Sequence, residues 1–135
     1  MSAKSTYVVA VLAAFAFLAP TASATAEEPA SRKASVAASC YGGAISYSKP
    51  SNQGLLYEAP GKWFVTSSNC NDINVKPNTN RYMKVCFGSL ASDCQASWTL
   101  AKAGQWNVIA SDVLTGTRYF IWFRSNAASS GAVAD

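Results

Sequence analysis

The chain contains no histidine, and that absence removes a large part of enzyme chemistry. Without an imidazole no Ser-His-Asp or Cys-His arrangement can activate a nucleophile in the usual way. Carboxylates are scarce too, with seven Asp and Glu in 135 residues. Between Cys40 and Arg124 only Glu58, Asp72, Asp93 and Asp112 remain. A glycosidase pair would have to be drawn from these four, yet each sits where a strand edge or turn keeps a charge solvated. We therefore expect no enzyme and no cofactor. The four cysteines include no Cys-x2-Cys pair, so with histidine missing a zinc site lacks its ligands.

Long apolar runs are absent after the first twenty residues. Before that point Lys4 supplies a positive charge, Tyr7 to Ala19 is apolar, and small residues follow Pro20. This is the order of a secretory signal, and the run falls short of the about 20 residues that a membrane-spanning helix needs. We expect a signal peptide over 1–26, cut after Ala26 with Ala24 as the competing site, and no membrane-spanning segment in the mature chain. Lipidation of Cys40 is disfavoured, because a lipidated cysteine directly follows the apolar run and Cys40 does not.

Two segments lack large side chains. Residues 27–39 ("EEPASRKASVAAS") and 125–135 ("SNAASSGAVAD") are rich in Ala and Ser, too poor in apolar area to offset chain entropy alone. They are expected to be a flexible linker and a flexible tail around a domain at 40–124. A domain that small benefits from staples, which gives the cysteines a purpose. Four cysteines allow three disulfide connectivities. We favour Cys86 with Cys94, closing a short loop, and Cys40 with Cys70, pinning the start of the domain.

Helical periodicity is hard to find, whereas short runs of Tyr, Phe, Trp, Val and Ile recur between clusters of Gly, Pro, Asn and Ser. This pattern predicts strands near 44–47, 55–58, 62–67, 72–76, 81–87, 96–100, 106–113 and 117–124. Turns at Ala59-Pro60-Gly61 and Lys76-Pro77-Asn78 carry proline to preset φ and Gly or Asn to tolerate positive φ. Thr115-Gly116 is expected to join the last two strands tightly. In the final strand Tyr119, Ile121 and Phe123 alternate with Phe120 and Trp122, so it is apolar on both faces and should lie centrally or beneath a loop. Eight short strands without crossover helices predict an all-β domain, a small antiparallel β-sandwich or barrel with two disulfides.

"SSNCNDINVKP", Ser67 to Pro77, is the densest polar stretch. As a calcium loop it fails after Asp72 and Asn74, because the next alternate position is Lys76 and no late glutamate follows. As structure it reads well: Asn69, Asn71 and Asp72 can bond nearby amides in a turn stapled by Cys70. The aromatic residues are the richer constellation. Most must form the core, but a few Trp or Tyr at a sheet face are suited to stacking on sugars or anchoring a partner. The candidate ligand-binding set is Trp63, Trp98 and Trp106, with Asn71, Asp72 and Asn74 as polar partners. Basic residues are scattered singly, as at Lys49, Lys62, Lys76, Arg81, Lys84, Lys102, Arg118 and Arg124. Such scatter reads as solvated strand edges rather than a nucleic-acid patch, so no nucleic-acid partner is expected.

The segments "GKWFVTSSNCNDINVKP", "RYMKVCF", "CQASW" and "TGTRYFIWFR" together resemble small exported proteins of actinomycete bacteria. The resemblance implies secretion and a disulfide-bonded β domain, and brings no activity with it. The reading as a whole is a secreted, noncatalytic binding module. Its expected partner is an extracellular polysaccharide or cell-wall polymer, or alternatively a protein that meets the disulfide-closed loop Gly88 to Asp93.

Overall fold

A computed structural model of the chain describes residues 39–135. The expected signal peptide, and the expected linker up to residue 38, lie outside the described residues. What is described is nearly all β: β1 (Ile45–Lys49), β2 (Leu55–Leu56), β3 (Phe64–Val65), β4 (Ile73–Pro77), β5 (Arg81–Cys86), β6 (Thr99–Ala101), β7 (Asn107–Ala110), β8 (Arg118–Phe123) and β9 (Ser129–Ala134). A single 3-10 turn, Ala91–Asp93, interrupts them. Among the described residues no helix is long and apolar enough to cross a membrane.

The strands form two antiparallel sheets. One has the order β1-β9-β4-β7; the other has β2-β8-β5-β6, with β3 also pairing β8. The sheets pack as a sandwich because alternate side chains of each strand point to one interior. Tyr47, Ile73, Val75, Ile109 and Val133 enter it from the four-stranded sheet, and Leu56, Phe64, Met83, Val85, Tyr119, Ile121 and Phe123 from the other. The odd-numbered residues of β8 are thus core, as the alternation predicts. Both favoured disulfides are present, Cys40–Cys70 and Cys86–Cys94. Closing loops with sequence separations of 30 and 8 residues restricts the unfolded chain by about 3.5 and about 2.5 kcal/mol.

The turns explain the path. At Ala59-Pro60-Gly61-Lys62 the Lys62 amide donates to the Ala59 carbonyl at 2.9 Å and Gly61 has φ +71°, so Pro60 and Gly61 take the two central positions of a type II turn. That turn lets β2 and β3 share one edge of β8, Leu56 facing Ile121 and Phe64 facing Tyr119.

Three expectations are corrected. Residues 125–135 are not a loose tail: β9 lies inside the four-stranded sheet, paired with β1 on one side and β4 on the other. Small side chains suffice there because its two neighbours satisfy its backbone groups and larger residues cover it. Thr115-Gly116 does not make a hairpin, since β7 pairs β4 in one sheet and β8 pairs β5 in the other. The connection crosses between sheets and is held by buried Thr66, whose hydroxyl donates to the Leu114 carbonyl at 2.6 Å and accepts from the Thr117 amide at 2.8 Å. Finally, Lys49 is no solvated edge residue but 1% exposed.

Candidate functional site

The polar stretch around Cys70 is consumed by the fold. The Ser67 hydroxyl accepts from the Asn69 amide at 3.1 Å, the Asp72 carboxylate accepts from the Asp112 amide at 3.0 Å, and the Asn71 carbonyl accepts from the Val113 amide at 2.8 Å. Asn74 is buried; its side-chain amide donates to the Asp72 carbonyl at 3.1 Å and the Ala134 carbonyl at 3.5 Å. This is a stapled turn, and it ties β4 to the β7–β8 crossover and to β9. Trp106 belongs to the same end of the molecule. It stacks on Tyr41, centroids 4.6 Å apart and planes 8° from parallel, against the Cys40–Cys70 bridge.

Trp63 and Trp98 lie elsewhere, on the outer face of the five-stranded sheet. Partners across an antiparallel ladder share a face, so the pairings Val65 with Arg118, Leu55 and Lys84 with Trp122, Cys86 with Phe120, and Tyr82 with Leu100 define what that face carries. Its centre carries two groups of rings. Trp63 meets Phe120 edge-on at 5.1 Å and Tyr57 at 6.0 Å; Trp98 meets Trp122 edge-on at 5.3 Å. The structure therefore splits the six candidates: Trp63 and Trp98 share this face, while Trp106, Asn71, Asp72 and Asn74 surround the Cys40–Cys70 staple.

Three cations stand on the rings. Lys84 lies between two indoles, its Nζ 4.4 Å from the Trp98 centroid and 4.8 Å from that of Trp122. The Arg118 guanidinium lies 4.8 Å from the Trp63 centroid, and that of Arg124 lies 4.1 Å from Tyr82. Such contacts hold a cation in place electrostatically without neutralising it. The strands of this sheet contain no carboxylate. Among the described residues one ion pair forms, Lys62 to Glu58 at 3.1 Å, and it leaves all three of these cations unpaired. Asp93, on the adjoining loop, turns back to accept from the Leu90 amide at 3.1 Å.

That loop rims the face. Cys86 lies on the outer side of β5, so its bridge to Cys94 holds residues 87–93 over the sheet. A Cβ at Gly88 would displace the Asp93 carboxylate from this position. Leu90 projects outward, 67% exposed. Between loop and sheet is a notch of about 240 Å³ walled by Leu55, Leu90, Ala91, Phe120 and Trp122. A second cleft, about 420 Å³, opens between β1 and the β2–β3 connection; its one carboxylate is Glu58, already paired with Lys62.

The residues that sequence reasoning did not select are Tyr82, Lys84, Arg118, Trp122 and Arg124. A signal for them exists: Arg118, Phe120, Trp122 and Arg124 occupy the even positions of a strand whose odd positions are all core. Comparison with protein families, with curated proteins and with solved structures finds no match in any of the three.

Proposed function

We propose that this is a secreted, noncatalytic binding module that recognises a carbohydrate or cell-wall polymer on the outer face of its five-stranded sheet. One observation carries the reading: that face carries three half-buried indoles and several exposed apolar side chains, among them Val65, 50% exposed, Leu100, 38%, and Leu55, 36%. Soluble monomers rarely leave such surface uncovered without a use for it. A broad shallow face of rings suits a polymer better than a small solute, which needs an enclosing pocket. The aromatic edges offer contact to sugar rings, and none of the four indoles is fully shielded. Secretion is supported by two disulfides, which form and persist in oxidising compartments.

The test is cosedimentation of the oxidised protein with insoluble peptidoglycan, chitin and cellulose. Binding should be lost in Trp63→Ala and Trp98→Ala and retained in Trp106→Ala, whose indole lies at the other end of the sandwich. Loss in Trp106→Ala alone would move the site to the Cys40–Cys70 end.

A second reading has its own support in Leu90. A disulfide-closed loop presenting one large apolar side chain is preorganised for insertion into a protein partner, since little loop entropy remains to be lost. Reduction of Cys86–Cys94, or Leu90→Ser, would abolish that binding while leaving polymer binding intact.

A further inference from the structure

The three cations on the aromatic face bear on what kind of polymer it holds, and this step rests on the binding role proposed above. Arg118 and Arg124 stand at the two ends of β8, roughly 20 Å apart at about 3.4 Å per residue. Lys84 lies between them, opposite Trp122. Each is drawn over a ring rather than paired with a carboxylate, so each ring it covers presents a cation, not a bare π face, to anything arriving from solvent. A neutral sugar would have to displace that cation before stacking. An acidic group meets it directly.

We propose that the ligand is an acidic glycan lying along β8, its carboxylates or equivalent anionic substituents on Arg118, Lys84 and Arg124. Its sugar rings would lie against the edges of half-buried Trp63 and Trp122, which the cations over the ring faces leave free, and against exposed Leu55 opposite Trp122. Charge complementarity selects the anion, because among the described residues the three positive groups have no ion-pair partner, and the carboxylate of the adjoining loop, Asp93, bonds the Leu90 amide. The ring surface between those groups selects a glycan over a plain polyphosphate, which has no apolar ring to place there. The rings hold the cations in position before binding, so little side-chain entropy is lost on capture.

The probe is polygalacturonate, an all-carboxylate glycan, titrated into the full chain with tryptophan fluorescence as the readout. Its fully methyl-esterified form, polyglutamate and inorganic polyphosphate are the comparisons. Polygalacturonate should bind, and about tenfold more weakly at 200 mM than at 50 mM salt, the order expected when two or three neutralised charges release counterions. Lys84→Gln should weaken binding and lower the salt slope by about one. Lys76→Gln, which removes the same charge from the opposite sheet, should change neither. Equal binding of the methyl ester overturns the acidic requirement, and equal binding of polyglutamate or polyphosphate overturns the glycan. Binding to chitin or cellulose, which are neutral, through Trp63 and Trp98 without any to polygalacturonate would leave the proposed function standing and remove this inference. Thermal unfolding of each variant shows that a loss is not a folding defect.

Discussion

Lys49 shows how much one residue can misdirect a reading of this sequence. It ends β1 and precedes Pro50, the setting of an ordinary solvated edge lysine, yet its ammonium donates to the Gln53 carbonyl at 2.5 Å, the Ala127 carbonyl at 2.7 Å and the Pro50 carbonyl at 3.4 Å. It also lies 5.1 Å from the Phe123 ring centroid. Burial, and secondarily the positive charge of Arg81, depress its pKa from 10.5. Among the described residues no carboxylate bonds it, and the carbonyls of two chain segments far apart in sequence do so, which is why composition cannot reveal the site. Lys49→Met keeps the stem and removes the donor. With hydrogen bonds to charged groups contributing about 1.5–3 kcal/mol, the variant should lose roughly 2 kcal/mol in urea unfolding at neutral pH. An unchanged midpoint would mean that water serves these carbonyls equally well. The six candidate binding residues were legible in the same limited way. Residue type selected Trp63 and Trp98, which the fold places on one face, together with Trp106, Asn71, Asp72 and Asn74, which it places around the Cys40–Cys70 staple; amide and carboxylate chemistry serves a turn as readily as a site.

At the scale of elements, every strand marked by large apolar side chains was legible and the one without them was not. β9, Ser129 to Ala134, bears no aromatic residue and only Val133 as a large aliphatic. Burial potential alone therefore assigned it to a tail. That reasoning holds for a segment that must stabilise itself, whereas β9 borrows its stability. Ser129 accepts or donates to the buried Tyr47 hydroxyl at 3.0 Å, and Asn78 brackets Ser130, side chain to amide at 3.0 Å and amide to carbonyl at 2.8 Å. Small residues are a requirement at Gly131, which stands opposite Pro77 at φ +157° with the Lys76 carbonyl in the space where a Cβ would go. Gly131→Ala should thus push β9 from β4 and cost about 2 kcal/mol or more. Gly42→Ala, whose added methyl would meet open space, should cost little. Equal midpoints for the two variants would show that β9 shifts without loss.

The two sheets differ as wholes, and their difference sets where binding and where stability reside. The five-stranded sheet turns rings and cations outward, while the four-stranded one shows small residues such as Ser46, Ser48 and Ala132. The sheets are joined at one end by a hydrogen bond between them: the hydroxyl of fully buried Tyr119, on β8, donates to the Asp135 carboxylate just beyond β9 at 2.5 Å. Burial raises the Asp135 pKa above 3.8, against the lowering effect of its bonds to Tyr119 and Ser67. Below 3.8 the proton is bound in folded and unfolded chains alike. Between 3.8 and the raised value the folded domain keeps a proton that the unfolded chain releases, so rising pH favours unfolding. The stability linked to this group is complete below 3.8 and is lost as pH climbs through the folded pKa. Asp135→Asn removes the titration and keeps an acceptor for Tyr119, and other carboxylates are common to both proteins, so the difference between their midpoints isolates the group. Above 3.8 the parent should lose stability relative to Asp135→Asn until the folded carboxyl has ionised, and then run parallel to it. A parent that gains on the variant over that range would show that the bonds from Tyr119 and Ser67 favour ionised Asp135 more than burial opposes it.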